Sequence, residues 1–243
     1  MSENRPCYFK FPIVESGFCN AFEYKMGREI DMSHRIFLHG LGQGPSSWDK
    51  ILSCLPEEKN VSCPDLFRFF GGEECTYQNL FGSFSRYCEK VKEPFHLCGL
   101  SLGAVLALHY GICHPQKVRS MVLIAPQYQM PKRLLKIQNG IFHLLPKAAF
   151  DGMGLEKKQM ICLTNSMQNL QLEEQCRRVS CPVLVLCGKK DRANQKSSVA
   201  LSELLPQARM EWLKNAGHEA NLDAPEELAA AIELFWRDET SRS

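Results

Sequence analysis

The sequence predicts an α/β protein: a mostly parallel central sheet with helices on both faces and a helical insertion. Three observations lead there. Short apolar runs alternate with stretches of helical periodicity along most of the 243 residues, as required where parallel strands are joined by crossover helices and buried on both faces. One such junction, Gly99-Leu100-Ser101-Leu102-Gly103, has a strand pattern before it and a helix pattern after it. Between Pro126 and Pro182 the alternation stops, and only helical patterns remain.

Taken in order, the apolar runs place strands near 7–14, 21–26, 34–38, 60–63, 94–98, 119–125, 182–187 and 209–213. The first two form an antiparallel edge pair. Helical periodicity places helices near 47–55, 77–91, 102–113, 196–205 and 225–237. Residues 127–181 are too long to be a plain connection and carry their own task. Their first half, Pro131 to Leu145, is amphipathic and basic, with Lys132, Arg133 and Lys136 on a solvated face. Their second half spaces Met160, Leu163, Met167 and Leu170 at helical intervals. The domain reading is therefore a core of residues 1–126 and 182–243 carrying a helical cap or lid, 127–181.

Composition narrows the function classes. The chain has 29 basic and 27 acidic side chains with no long run of either sign, so nothing electrostatic points to nucleic acid. Twelve cysteines without a Cys-x-x-Cys pair read as free thiols, small buried hydrophobes such as Cys98, Cys113 and Cys187, in a reducing compartment. No Cys/His cluster has metal-ligand spacing, and no metal or organic cofactor is expected. The polar start, Met1 to Pro6, lacks the apolar run of a secretory signal, which makes the cytoplasm the expected location. Residues 94–116 hold no Lys, Arg, Asp or Glu and have the length of a membrane span. Pro94, Gly99, Ser101, Gly103 and three histidines favour a buried strand and helix instead, so no stable membrane insertion is expected.

In a strand-turn-helix setting, a serine with glycines two positions away on each side is a nucleophile elbow: the chain turns so sharply that only small residues fit around it. A serine needs a base and an acid that orients the base. Asp191 follows the run Pro182 to Cys187 in Gly188-Lys189-Lys190-Asp191, and His218 follows Met210 to Leu213 in Asn215-Ala216-Gly217-His218. The chain order is Ser101, Asp191, His218. An acid after a strand is also a common helix N-cap, and the other site for one, after the preceding strand, reads Ala125-Pro126-Gln127-Tyr128-Gln129 with no carboxylate. Upstream, His34 to Leu38 runs into His39-Gly40-Leu41-Gly42-Gln43-Gly44. There the N–H of Leu41, with Gly42 as the alternative, joins the N–H of Leu102 to face a developing oxyanion.

With these motifs, with His114-Pro115-Gln116-Lys117-Val118-Arg119 and with Asp223-Ala224-Pro225-Glu226-Glu227, the chain resembles the α/β-hydrolase superfamily over nearly its whole length, in its small esterase, lactonase and C–C hydrolase type. The resemblance implies an α/β-hydrolase fold with a short cap and a serine hydrolase that cleaves a carboxylic ester, thioester or lactone through an acyl-enzyme. Ser101 at the nucleophile position disfavours the relatives that use aspartate or cysteine there. The same fold also carries C–C hydrolase, perhydrolase or haloperoxidase, and lyase activities, and a non-catalytic ligand receptor is the reading of another class. The expected partner is a small molecule with an apolar acyl group. His39, Gly42, Phe142 and Met167 are the candidate substrate contacts, although His39 reads first as a structural residue of its loop. Oligomeric state and substrate identity are not encoded in these motifs.

Overall fold

Among the described residues six strands, β1 (Arg35–Leu38), β2 (Val61–Ser62), β3 (Phe95–Leu100), β4 (Val118–Ile124), β5 (Val183–Gly188) and β6 (Ala208–Leu213), lie in the order β2-β1-β3-β4-β5-β6. Every neighbouring pair is parallel. The computed structural model describes residues 33–56, 60–129 and 140–240, all within one unit, Asp31–Ser243. The strands expected at 7–14 and 21–26 lie outside these residues.

The unbroken apolar character of the central strands follows from burial on both faces. Ile36, Leu38, Leu97, Met121, Leu123, Val183 and Val185 face one core, and Phe37, Cys98, Leu100, Val122, Ile124, Leu184 and Leu186 face the other. Successive side chains on a strand point to opposite sides, so each run feeds both layers. Each fully buried side chain of this size contributes about 1.5–3 kcal/mol. The first core is covered by α2 (Tyr77–Glu89) and α3 (Leu102–Cys113), the second by α1 (Asp49–Cys54) and the long helix Pro225–Thr240. Helix α3 buries residues around its whole circumference, which accounts for the charge-free stretch 94–116 as a central strand plus a central helix. Among the described residues no helix is long and apolar enough to cross a membrane. One expectation is corrected: Cys113 is exposed, because it is the last residue of α3 and lies past the buried part of the helix.

Between β4 and β5 the described chain is helical. Residues 140–144 are a helical turn, followed by a 3-10 turn at Lys147–Phe150, α4 (Lys157–Ser166), a 3-10 turn at Met167–Asn169 and α5 (Glu173–Cys176). Glu156 and Gln159 cap the start of α4 reciprocally, side chain to backbone. Met160, Leu163 and Met167 are buried in the first core and Leu170 packs against it. Most of the expected helix 131–145, with Lys132, Arg133 and Lys136, falls outside the described residues. After β5 come α6 (Gln195–Leu204), then β6, the single turn α7 (Ala220–Asp223) and α8 (Pro225–Thr240).

Candidate active site

Ser101 stands between the last residue of β3 and the first of α3 with φ 53 and ψ −110. That conformation is rare for a residue with a side chain and costs of order 1–3 kcal/mol. Its surroundings hold it there: Ser101 N–H donates to Ile124 O at 2.9 Å and its carbonyl accepts from Val105 N–H at 3.0 Å. Side chains on the flanking glycines are excluded. A Cβ on Gly99 would lie 2.3 Å from Gly103 O, and one on Gly103 would lie 2.1 Å from Leu38 O. The elbow therefore packs helix onto strand at backbone contact and leaves Ser101 at the strand's end.

The same device brings the other two residues in. A Cβ on Gly188, the end of β5, would lie 2.3 Å from Ala216 O and 2.4 Å from Gly217 O. The Lys190 N–H donates to Ala216 O at 3.0 Å, and the Gly217 N–H donates to Asp223 Oδ2 at 2.8 Å. The loops after β5 and β6 are thereby clamped, and His218 is delivered to Asp191. His218 Nδ1 is 2.9 Å from Asp191 Oδ2, and His218 Nε2 is 3.1 Å from Ser101 Oγ. An ionised carboxylate only accepts, so Nδ1 carries the proton and Nε2 is left to accept from the serine hydroxyl.

The charges support that arrangement. Asp191 is buried, 6 % exposed; burial pushes its carboxyl up, but hydrogen bonds from His218 and Asn194 outweigh this and hold it below the usual carboxylate range. The hydrogen bond to Asp191 raises His218 above the usual imidazole value. Burial opposes that rise, and the charges of Asp191, Glu219 and Asp223 add to it.

The loop after β1 closes a turn from Gly40 to Gln43, with Gln43 N–H donating to Gly40 O at 3.2 Å. Gly42 has φ 79, the left-handed residue that such a turn requires. His39 is fully buried. Its Nε2 accepts from Leu66 N–H at 3.0 Å, so its Nδ1 carries the proton and donates to Gly40 O at 2.9 Å; burial lowers its pKa, which the contacts with Gly40 and Asp65 only partly offset. The ring ties the loop to the 3-10 turn Leu66–Phe70 and does not line the cavity. Gln43 takes the other side of the loop: its Nε2 donates to Glu219 Oε1 at 3.0 Å, and its Oε1 accepts from Gly40 N–H at 3.2 Å and from Asn221 Nδ2 at 3.2 Å.

A cavity of about 430 Å³ opens over these groups, with Ser101, His218, Leu41, Gly42 and Leu102 in its wall. Leu102 is the first residue of α3, where backbone N–H groups have no partner within the helix. The segment between β4 and β5 contributes Phe142, Met153, Met160, Thr164 and Met167. The structure thus brings together Ser101, Asp191, His218, Leu41, Leu102, Gly42, Phe142 and Met167, and leaves His39 outside. Sequence reasoning passed over Gln43, Gln127, Asn194, Glu219 and Asn221. The available signal was their position: each is a polar residue within three positions of a site residue or at the mouth of the insertion.

Comparisons with known proteins agree with this architecture. The family model described as "Alpha/beta hydrolase family" matches residues 36–231. Monoacylglycerol lipase ABHD6 of Homo sapiens is 22% identical over 88% of this chain and 77% of its own length. Pimeloyl-[acyl-carrier protein] methyl ester esterase of Nitrosomonas europaea is 20% identical over 82% of this chain and 94% of its own. Among solved structures, a carboxylesterase study of the thaumarchaeon Nitrososphaera gargenis provides a chain with TM-score 0.73 and 17% identity, covering 87% of this chain and 92% of that one. The structural likeness concerns the fold, whereas the family model spans most of the sequence, and the chain belongs to the alpha/beta hydrolase family.

Proposed function

We propose that the protein is a serine ester hydrolase working through an acyl-enzyme, with Ser101 as nucleophile, His218 as base and Asp191 as the acid that orients it. The observation that carries this reading is the continuous hydrogen-bonded chain from Ser101 Oγ through the His218 ring to Asp191, set on a strained elbow beneath a cavity. The names of similar proteins, a monoacylglycerol lipase and a methyl ester esterase, support an ester as the substrate.

His218 Nε2 takes the hydroxyl proton as Ser101 Oγ attacks the carbonyl, and Asp191 stabilises the imidazolium that forms. The negative charge develops on the carbonyl oxygen between the N–H groups of Leu41 and Leu102, whose donors are fixed before the reaction and need no reorganisation. His218 then gives its proton to the leaving alcohol, and after the alcohol departs it activates a water that releases the acid. The cavity is of ordinary size for a small ligand, and its apolar side chains from the 127–181 insertion make that segment a cap over an acyl group. The ten described cysteines are unpaired, which supports a reducing compartment, the cytoplasm.

Turnover of methyl esters, monoacylglycerols and aryl esters of graded acyl length tests the reading. Hydrolysis by the wild type and its loss in Ser101→Ala is the expected result. Equal rates for the two proteins would overturn it.

A further inference from the structure

Asn194 immediately precedes α6. An Asn at that position ordinarily turns its side chain onto the free N–H groups of its own helix. Here it makes no such bond. The side chain reaches back to Asp191 instead, with Nδ2 2.9 Å from Oδ1 and 2.8 Å from Oδ2. Both residues are 6 % exposed. Asn194 Oδ1 accepts from Gln127 Nε2, and Gln127 lies in the cavity wall, two residues past Ala125, which has φ 48. Ser197 Oγ on α6 donates to Pro126 O at 2.9 Å, so the start of the insertion is pinned to the helix that Asn194 leads.

From this geometry we infer that Gln127 and Asn194 are positioning residues for the acid: Asn194 holds both oxygens of the Asp191 carboxylate, and Gln127 fixes the Asn194 amide from the cavity wall. The inference rests on the ester-hydrolase reading and extends it. Apart from the His218 ring, the buried carboxylate accepts from the backbone N–H and from the side chain of Asn194, and it is the side chain that meets both oxygens. A second donor bridging both oxygens holds its plane and shares its charge whether His218 is neutral or protonated. Asn194 Nδ2 also lies 3.0 Å from His218 Nδ1. With the proton on Nδ1 that contact is donor against donor, so the amide is directed to the carboxylate and the ring to Asp191. The ionised carboxylate accepts only, so the amide nitrogen faces it and the amide oxygen is left to accept from Gln127 Nε2. The other titratable groups facing the pair are Glu219 and Asp223 beside His218 and the thiol of Cys187 beside Asp191; the variants below leave all three in place.

The test is the rate of fluorophosphonate labelling as a function of pH, which needs no knowledge of the natural substrate, for the wild type, Asn194→Leu and Gln127→Leu. Loss of the Asn194 donors leaves more charge on Asp191 for the imidazolium, so His218 releases its proton at higher pH. Asn194→Leu should label up to about threefold more slowly at pH 7, with the acid limb of its profile moved up by about 0.5. Gln127→Leu should move the limb in the same direction by less. Slower labelling with an unmoved limb in both variants means that the residues only pack, and overturns the inference. If Asn194→Leu does not fold, as read by circular dichroism, Gln127→Leu decides on the same criterion. A wild type that is not labelled at all refutes the ester-hydrolase reading itself and this inference with it, a result distinguishable from a labelled wild type with unmoved variants.

Discussion

Gly103 shows how narrow the tolerance is at the level of single residues. A side chain there would overlap Leu38 O at 2.1 Å, a backbone atom at the end of the fully buried strand β1. Gly103→Ala should lower unfolding stability by about 3 kcal/mol or prevent folding, read as the shift of the urea midpoint. An unchanged midpoint would mean that helix and strand are not in backbone contact. Ser101→Ala should leave that midpoint near wild type while cutting kcat by up to about 10⁶, and adding His218→Ala should cost little more, because the two residues act as one unit. The base must be neutral to work. The hydrogen bond to Asp191 makes the His218 ring hold its proton more firmly than a free imidazole does, so activity should rise with pH through a midpoint above that of a free imidazole, about 6.5; a flat rate across that region would point to another base. Ser101, Asp191 and His218 were legible in the sequence because each follows a recognisable strand in a fixed order. Asn194 was not, since its role depends on which way an amide turns, and an Asn before a helix reads as a cap for that helix.

At the scale of elements, hydrophobic periodicity located the strands and main helices of the described residues, because β3, β4 and β5 are buried on both faces and no competing pattern interrupts them, while the strands expected at 7–14 and 21–26 lie outside those residues. The exceptions are short. The 3-10 turn Leu66–Phe70 is held by His39 from another part of the chain and by the Asp65 side chain accepting from Phe67 N–H, and α7 is a single turn of four residues. Neither is long enough to show a period. The insertion read as helical, and Met160 and Met167 are both buried, but α4 ends at Ser166 and Met167 stands in the 3-10 turn that follows, and spacing alone did not say which side chains meet the cavity. Phe142 packs edge-on against Phe150 with ring centroids 5.6 Å apart and also lines the cavity with Met167. Phe142→Ala and Met167→Ala should therefore shift the preferred acyl length by tens of fold, each methylene being worth about 1–3 kcal/mol in an apolar pocket, while leaving fluorophosphonate labelling of Ser101 near wild type. A uniform loss at every chain length would make these side chains supports of the fold only.

For the molecule as a whole, the strand order β2-β1-β3-β4-β5-β6 puts β3 between β1 and β4, so the loop after β1, the elbow and the loops after β5 and β6 gather at the same strand ends. That order is not readable from alternation, which fixes parallel pairing but not which strands are neighbours. The site also leaves a mark on overall stability. Asp191 has its folded pKa lowered, so its contribution is present above the unfolded value and is lost as pH falls through the folded one. His218 has its folded pKa raised, so its contribution is present below the unfolded value and is lost as pH rises through the folded one. The difference in Tm between the wild type and Asp191→Asn should therefore be greatest at mildly acidic pH, where both groups are charged, and shrink on either side; a difference independent of pH would mean the pair is not coupled in the folded state. Activation of Ser101 by the fold is read out by fluorophosphonate labelling followed by peptide mapping. A single adduct on Ser101 is expected, absent from Ser101→Ala and strongly slowed in His218→Ala. No adduct on the folded wild type, or an adduct on another residue that survives both substitutions, would contradict it.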